Sequence, residues 1–296
     1  MSAKMPLPPM IKDLDTADIV IKKAIKCKYG VMYQLAKNNG KDIMFYFGRA
    51  STVFGADQDA DPDKKKDPSA IIDADKKWAF SVQMGWENAR TDLENARAQK
   101  LEEICATVAK ALAALPEDEQ IVNEENEPLT EEQLLQLITK PIVMKRSKTK
   151  KRDNPNKPGK QEFVPYEPTM KWVIPFGFKQ EGKINVRDNT RVLEKFGFVP
   201  FKDEDDQPIE PTVQNAKVAV PPRSEVEIWG RLTQVHVGDI GDRRAANLRF
   251  ETLMIKRTAV DEARLGQEID TSRDYEEYYA EMQRANDEAT PRDDSA

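Results

Sequence analysis

The chain has 296 residues, 39% of them hydrophobic and 33% charged, with a net charge of −6. That leaves apolar material for a real core, and enough surplus charge that some segments are expected to be solvated loop or tail. The two distant cysteines, Cys27 and Cys105, argue against a disulfide framework, and no apolar run approaches the roughly 20 residues of a membrane span or forms a leader at the start, so the expectation is a soluble protein of a reducing, intracellular compartment.

Pro6, Pro8 and Pro9 precede a mixed run in which Ile19 and Ile21 alternate. YGVMYQLAKNNGKDIMFYFGR, from Tyr29, reads as a hairpin turning at Asn39-Gly40, with Ile43, Phe45 and Phe47 on one face of the second strand and Met44 and Tyr46 on the other. Residues 55–70 are polar. Asp57, Asp59, Asp61 and Asp63 suggest a calcium loop, but the glycine and glutamate that an EF-hand needs are missing, so a solvated loop is expected. Trp78, Phe80, Val82, Met84 and Trp86 at period two predict a half-buried strand. Leu93, Arg97, Leu101, Ile104, Val108, Ala111, Leu112 and Leu115 mark one face of a helix over about 91–115, ended by Pro116. After an acidic loop, Thr130 and Gln133 form a capping box for a short helix through Ile138, stopped by Pro141.

Residues 140–163 carry nine Lys or Arg and two acids, with Pro155, Pro158 and Gly159 among them, which predicts a flexible segment that is neither helix nor central strand. MKWVIPFGF is another alternating strand, with Trp172, Ile174, Phe176 and Phe178 on one face and an edge or bulge at Pro175. In SEVEIWGRLTQVHVGD, Val226, Ile228, Gly230 and Leu232 face one side, and Glu225, Glu227, Trp229, Arg231 and Thr233 the other. The returning strand NLRFETLMIKR sets Leu248, Phe250, Thr252 and Met254 against Asn247, Arg249, Glu251 and Leu253, closing an antiparallel hairpin. Residues 261–296 hold twelve acids and four Arg, a net of −8, which leaves the first 260 residues at +2. Strands and helices do not alternate. The expected fold is therefore mostly β with an inserted long helix (α+β), as a small OB-like antiparallel Greek-key barrel with extensions.

Enzyme motifs are missing. His236 is the single histidine, and there is no HExxH, nucleophile elbow, Walker A loop or GxGxxG. A nuclease built on carboxylate-held metal is the weakest alternative. The reading is a non-enzymatic binder with no cofactor and no metal ligands. Lys145, Arg146, Lys148, Lys150, Lys151 and Arg152 lie within eight residues, with Lys157 and Lys160 beyond. Such like charges repel unless a polyanion neutralises them, which points to nucleic-acid phosphates; a solvated loop or a localisation patch are the other readings. Trp229 on the polar face of its strand, next but one to Arg231, suits base stacking or else packing under the basic loop or the tail, and Arg249 on the returning strand adds a phosphate or stacking contact. Phe163 and Tyr166 border the basic stretch as further stacking candidates. In the tail, Tyr275, Tyr278, Tyr279 and Met282 recur at helical spacing, which suits partner docking or competition with nucleic acid for a basic groove.

The order of parts is KWAFSVQM, the long helix, a charged insertion, TMKWVIPFGF, the final hairpin SEVEIWGRLTQVHVGDIGDRRAANLRFETLMIKR and an acidic tail. This layout, over roughly residues 75–290, resembles the OB-fold single-stranded DNA-binding proteins of T7-like phages and related viruses. The resemblance implies one OB barrel that binds single-stranded DNA, with homodimer or replication-partner contacts through the tail. The expected organisation is one binding domain over 1–260, with an N-terminal hairpin extension and a basic insertion near 140–163, followed by an acidic tail over 261–296. The expected function is single-stranded DNA binding in replication or recombination, in a viral setting. The alternative is a structural or packaging protein that binds duplex nucleic acid or a virion partner.

Overall fold

Alternation of apolar and polar residues over 225–259 builds the longest feature of the fold, a two-stranded ladder around which the other strands assemble. In a computed structural model, the structure describes residues 8–27, 30–52, 55–58, 78–88, 90–143, 149–153, 161–165, 167–174, 199–210, 215, 218–240 and 243–259. Their strands are β1 (Ile19–Cys27), β2 (Gly30–Lys37), β3 (Ile43–Ser51), β4 (Asp57–Gln58), β5 (Trp78–Gln83), β6 (Ile142–Val143), β7 (Thr149–Asp153), β8 (Gln161–Pro165), β9 (Thr169–Ile174), β10 (Phe201–Lys202), β11 (Pro208–Ile209), β12 (Glu225–Ile240) and β13 (Arg243–Ala259). The helices are α1 (Asp92–Ala113) and α2 (Glu131–Leu137). The fold is mostly β, in one open mixed sheet with a separate two-stranded ribbon, β7–β8.

The order along the sheet is β1-β2-β12-β13-β9-β5-β4. β3 pairs with β12 on the same edge as β2, and β10 and β9 both run parallel to β13. An isolated antiparallel bridge, Thr52 to Val82, links the residue after β3 to β5. Two expectations are corrected here. The sheet is mixed, where a wholly antiparallel one was expected. The hairpin read across Asn39-Gly40 is also not a paired hairpin: β2 pairs with β12 at 234–237 and β3 with β12 at 225–232, both antiparallel, so the two run in the same direction along one edge. Asn39-Gly40 makes a tight excursion between them, held by Gly40 N–H donating to Lys37 O at 2.7 Å. β2's hairpin partner is β1, with Ile19 opposite Lys37 and Cys27 opposite Gly30.

The inner face of the sheet packs as the alternation predicts. Val226, Ile228 and Leu232 are buried beside Phe45, Phe47, Phe250 and Trp172. Trp172 is fully buried, its ring 5.1 Å from Phe47 and about equally far (6.1 and 6.0 Å) from Phe45 and Phe250. Edge-to-face contacts of this kind add to the area each ring buries. In β13 the alternation shifts after Thr252. A bulge between Trp229 and Gly230 gives Leu253 no partner, so Met254 falls opposite Trp229 and Ile255 opposite Ile228. The expected grouping of Met254 with Leu248, Phe250 and Thr252 is therefore broken, because an extra residue in one strand reverses every later side chain.

α1 has the expected cap. Thr91 Oγ1 accepts from Glu94 N–H, and Glu94 Oε2 accepts from Thr91 N–H, while Thr130 and Gln133 do the same for α2. Leu101, Ile104, Val108 and Leu112 of α1 are buried, but Leu93 at its start is exposed. Arg97 is buried at the core-facing position its spacing gave it. Its Nη1 donates to Arg49 O at 3.0 Å and its guanidinium lies 4.8 Å from the centre of the Phe47 ring. Burial lowers its pKa. Gly48, at φ +95°, leaves the space it occupies, since a Cβ there would overlap Nη2. Among the described residues no helix is long and apolar enough to cross a membrane.

Candidate nucleic-acid interface

Register aligns side chains of the outer face into cross-strand rows. Arg49, Glu227 and Lys256 form the first, Tyr46, Trp229 and Met254 the second, and Met44, Arg231, Glu251 and Val173 the third. Past a second bulge, Lys23, Gln34, Gln234 and Arg249 share a row, followed by Ile25, Met32, His236 and Asn247. Residues within a row sit about 5 Å apart from strand to strand, so each row is continuous, but Met254, Glu251 and Gln234 within them are buried.

The second row holds the aromatic pair. Trp229 is half-buried on the outer face, with its ring 4.7 Å from that of Tyr46 at an interplanar angle of 33°. Burial, and then the Glu227 carboxylate, raises the Tyr46 phenol pKa, so it is neutral at ordinary pH. The rows on either side are charged. Arg49 Nε donates to Glu227 Oε1 at 2.9 Å, and that hydrogen bond raises the Arg49 pKa. Lys256 pairs with Asp206 at 2.7 Å and Arg257 with Glu204 at 2.6 Å. On the other side, Glu251 is nearly fully buried and takes Arg231 at 3.0 Å and Arg249 at 2.7 Å, and Arg231 also lies 3.7 Å from Asp42. The two arginines expected to meet phosphate are thus brought together on one carboxylate, with their side chains only 12% and 11% exposed.

Of the basic stretch, Lys150, Lys151 and Arg152 lie on β7 and Phe163 on β8, with Lys151 directly opposite Phe163 and Arg152 opposite Glu162. The flexible segment expected there is corrected over 149–153 and 161–165, which form an antiparallel ribbon. Lys145, Arg146, Lys148, Lys157, Lys160 and Tyr166 lie outside the described residues, as do Phe176, Phe178 and the whole tail. The reading missed Tyr46 and Lys23. The alternation had placed Tyr46 on the outer face of β3, and only the pairing of β3 with β12 sets it beside Trp229.

Among the described residues no three His, Cys, Asp or Glu side chains converge as a metal site would require. Cys27 Sγ is 3.4 Å from His236 Nε2 on the exposed end of the β1–β2 hairpin, whereas Cys105 is buried in α1, where burial pushes its thiol up to about 12. A thiolate is the reactive form, and Cys105 has almost none at pH 8. Ellman's reagent at that pH should therefore label one thiol per native chain quickly, Cys27, and the second only after denaturant is added. Two equally fast thiols would show that the α1 packing is wrong.

The chain matched none of the protein-family models and none of the curated proteins with which it was compared.

Proposed function

We propose that this protein binds single-stranded DNA on an OB-type barrel and serves replication or recombination without catalysing a reaction. The observation that carries the reading is the Tyr46–Trp229 pair, two rings on the outer face of the paired strands β3 and β12, between rows that bear cations. An unpaired base stacks on such a platform whatever its identity, and only a strand with unstacked bases can reach it. Strand order supports the barrel part. Taking β3, β5, β9, β12 and β13 as strands one to five, neighbours are one-two through the Thr52–Val82 bridge, two-three, three-five in parallel, five-four and four-one. That is the neighbour order of an OB barrel.

Phosphate neutralisation falls to the basic stretch around β7–β8, with Lys150, Lys151 and Arg152 on the ribbon. Arg49, Lys23 and Lys256 lie in rows of the face itself. One observation favours the duplex alternative: a two-stranded ribbon with a basic strand is the right width for a major groove. The two readings separate cleanly in one experiment. Oligo-dT should quench tryptophan fluorescence and bind more tightly than a duplex of equal length, with affinity falling steeply as salt rises. Trp229→Ala should weaken oligo-dT by 1–3 kcal/mol, about 5- to 150-fold, and leave the salt slope unchanged. Equal affinity for duplex, or no effect of Trp229→Ala, would transfer the function to the ribbon.

A further inference from the structure

The row of Arg49, Glu227 and Lys256 does not stop at β13. β10 runs parallel to β13 with Lys202 beside Lys256, so the row crosses four strands as Arg49, Glu227, Lys256 and Lys202. Neighbouring strands lie about 5 Å apart, and two ammonium groups side by side at that spacing repel. One carboxylate relieves them. Lys256 Nζ donates to Asp206 Oδ2 at 2.7 Å, and Lys202 Nζ lies 3.6 Å from Asp206 Oδ1, one lysine to each oxygen. The hydrogen bond holds the Asp206 carboxyl below its usual range and raises the Lys256 ammonium above its own, so both are charged at neutral pH.

Asp206 belongs to the turn between β10 and β11, and that turn is built without the lysines. Asp203 N–H donates to Gln207 O at 3.0 Å, and Asp206 N–H to Asp203 O at 3.2 Å. Asp203 Oδ1 accepts from Asp205 N–H at 3.0 Å and from Gln207 N–H at 2.7 Å. The Asp206 side chain can therefore leave the lysines while the backbone of the turn stays. That side chain is 59% exposed, and exposed ion pairs contribute little, so leaving costs little.

The other charges at this end of the sheet have partners of their own. Glu227 takes Arg49 at 2.9 Å, with Glu225 at 3.8 Å, and Glu204 takes Arg257 at 2.6 Å. Arg49, Lys202, Lys256 and Arg257 against Glu225 and Glu227 leave these strand ends at +2. The turn adds Asp203, Glu204, Asp205 and Asp206, which makes the sum −2. The turn thus sets the sign of this end of the face.

We infer that Lys202 and Lys256 form an anion site for one phosphate of a bound single strand, filled in the free protein by the Asp206 carboxylate, which the phosphate displaces. The carboxylate bridges two ammonium groups with two oxygens and one negative charge. A phosphodiester offers the same two oxygens and the same charge. Met254 is opposite Trp229, and Lys256 lies two residues on, about 7 Å along the strand, so a base on the Tyr46–Trp229 platform brings its backbone within reach. The inference rests on the single-strand reading above, and adds to it a phosphate position and an internal competitor for that position.

The test measures the affinity of the full chain for oligo-dT over a range of salt. Asp206→Asn keeps the turn, because Asp206 sits at φ +63°, a region that asparagine tolerates as well as aspartate. It should tighten oligo-dT by about two- to fivefold, the effect of removing one exposed competing pair. Asp205→Asn is the control. It removes the same charge from the same turn, but from a carboxylate that among the described residues pairs with neither lysine, and it should do much less. Lys202→Gln with Lys256→Gln should weaken binding and lower the slope of log affinity against log salt by about one, the signature of one lost phosphate contact. In that background Asp206→Asn should gain nothing. Equal gains from Asp205→Asn and Asp206→Asn overturn the proposal, since net charge alone then explains both. An unchanged salt slope in the lysine variant, with Trp229→Ala still weakening oligo-dT, overturns the site and leaves the single-strand reading standing. A wild type that ignores oligo-dT takes down both.

Discussion

Glu251→Ala should destabilise the protein by about 3–5 kcal/mol, the cost of removing one member of a buried ionic cluster. Glu251 has 2% of its side chain exposed and is the shared acceptor for Arg231 and Arg249, at 3.0 and 2.7 Å. Removing it takes the shared carboxylate from two guanidinium groups, each nearly nine-tenths buried, while Arg231 keeps Asp42 at 3.7 Å. The measurement is urea unfolding of the wild type and the variant, followed by circular dichroism. Because the cluster is shielded from solvent, added salt should restore little of the loss. A variant that removes all three charges, Glu251→Leu with Arg231→Met and Arg249→Met, should recover most of the stability, since apolar replacement of a buried ionic cluster is often neutral or better. If Glu251→Ala costs less than about 1 kcal/mol, the value of an exposed pair, the cluster is not buried as described. The same variants bear on function. The triple variant tests whether these two arginines add to DNA affinity beyond their structural pairing, against the Trp229→Ala result.

Gly230→Ala should cost about 1–3 kcal/mol or more, although alanine is the smallest possible addition. A Cβ on Gly230 would stand 2.8 Å from Cη2 of Trp172 and closer still to Cζ3, and 3.1 Å from Glu251 O. The indole has nowhere to retreat, because Phe45, Phe47 and Phe250 surround it. Close-packed interiors absorb an extra carbon only by moving a backbone or forcing a rotamer. Gly230→Ala should appear as a lowered thermal midpoint. Combining it with Trp172→Phe should recover part of the loss, because a phenyl ring lacks the two atoms in conflict. It also removes the buried Trp172 Nε1–H, which has no hydrogen-bond partner. Additive losses in the double variant would mean that the two residues do not touch.

The comparison of expectation with structure turns on the range of each interaction. α1 and α2, with both capping boxes, were legible because cap, apolar spacing and terminator all lie within a few residues of one another. The β12–β13 ladder was legible for the same reason, since alternation is local and a short loop joins the strands. The outward placement of Trp229 followed from that alternation. What failed was longer in range. Asn39-Gly40 permits a tight turn, but a turn does not specify that its flanking strands pair, and β12 took both. The bulge at Trp229 and Gly230 leaves no local signature except the glycine, and the reason for that glycine, Trp172, lies 58 positions earlier.

The sequence by itself determined that this chain is mostly β with one long capped helix, and which face of the long strands meets the core as far as their bulges. These follow from periodicity and capping, which act between near neighbours. Only the tertiary structure decided that Tyr46 would stand beside Trp229, that Arg231 and Arg249 would share Glu251, and that β1, among the described residues, would pair on one side only. Each of these depends on which distant strands pair and in what register, and one residue of slip turns a side chain from surface to core.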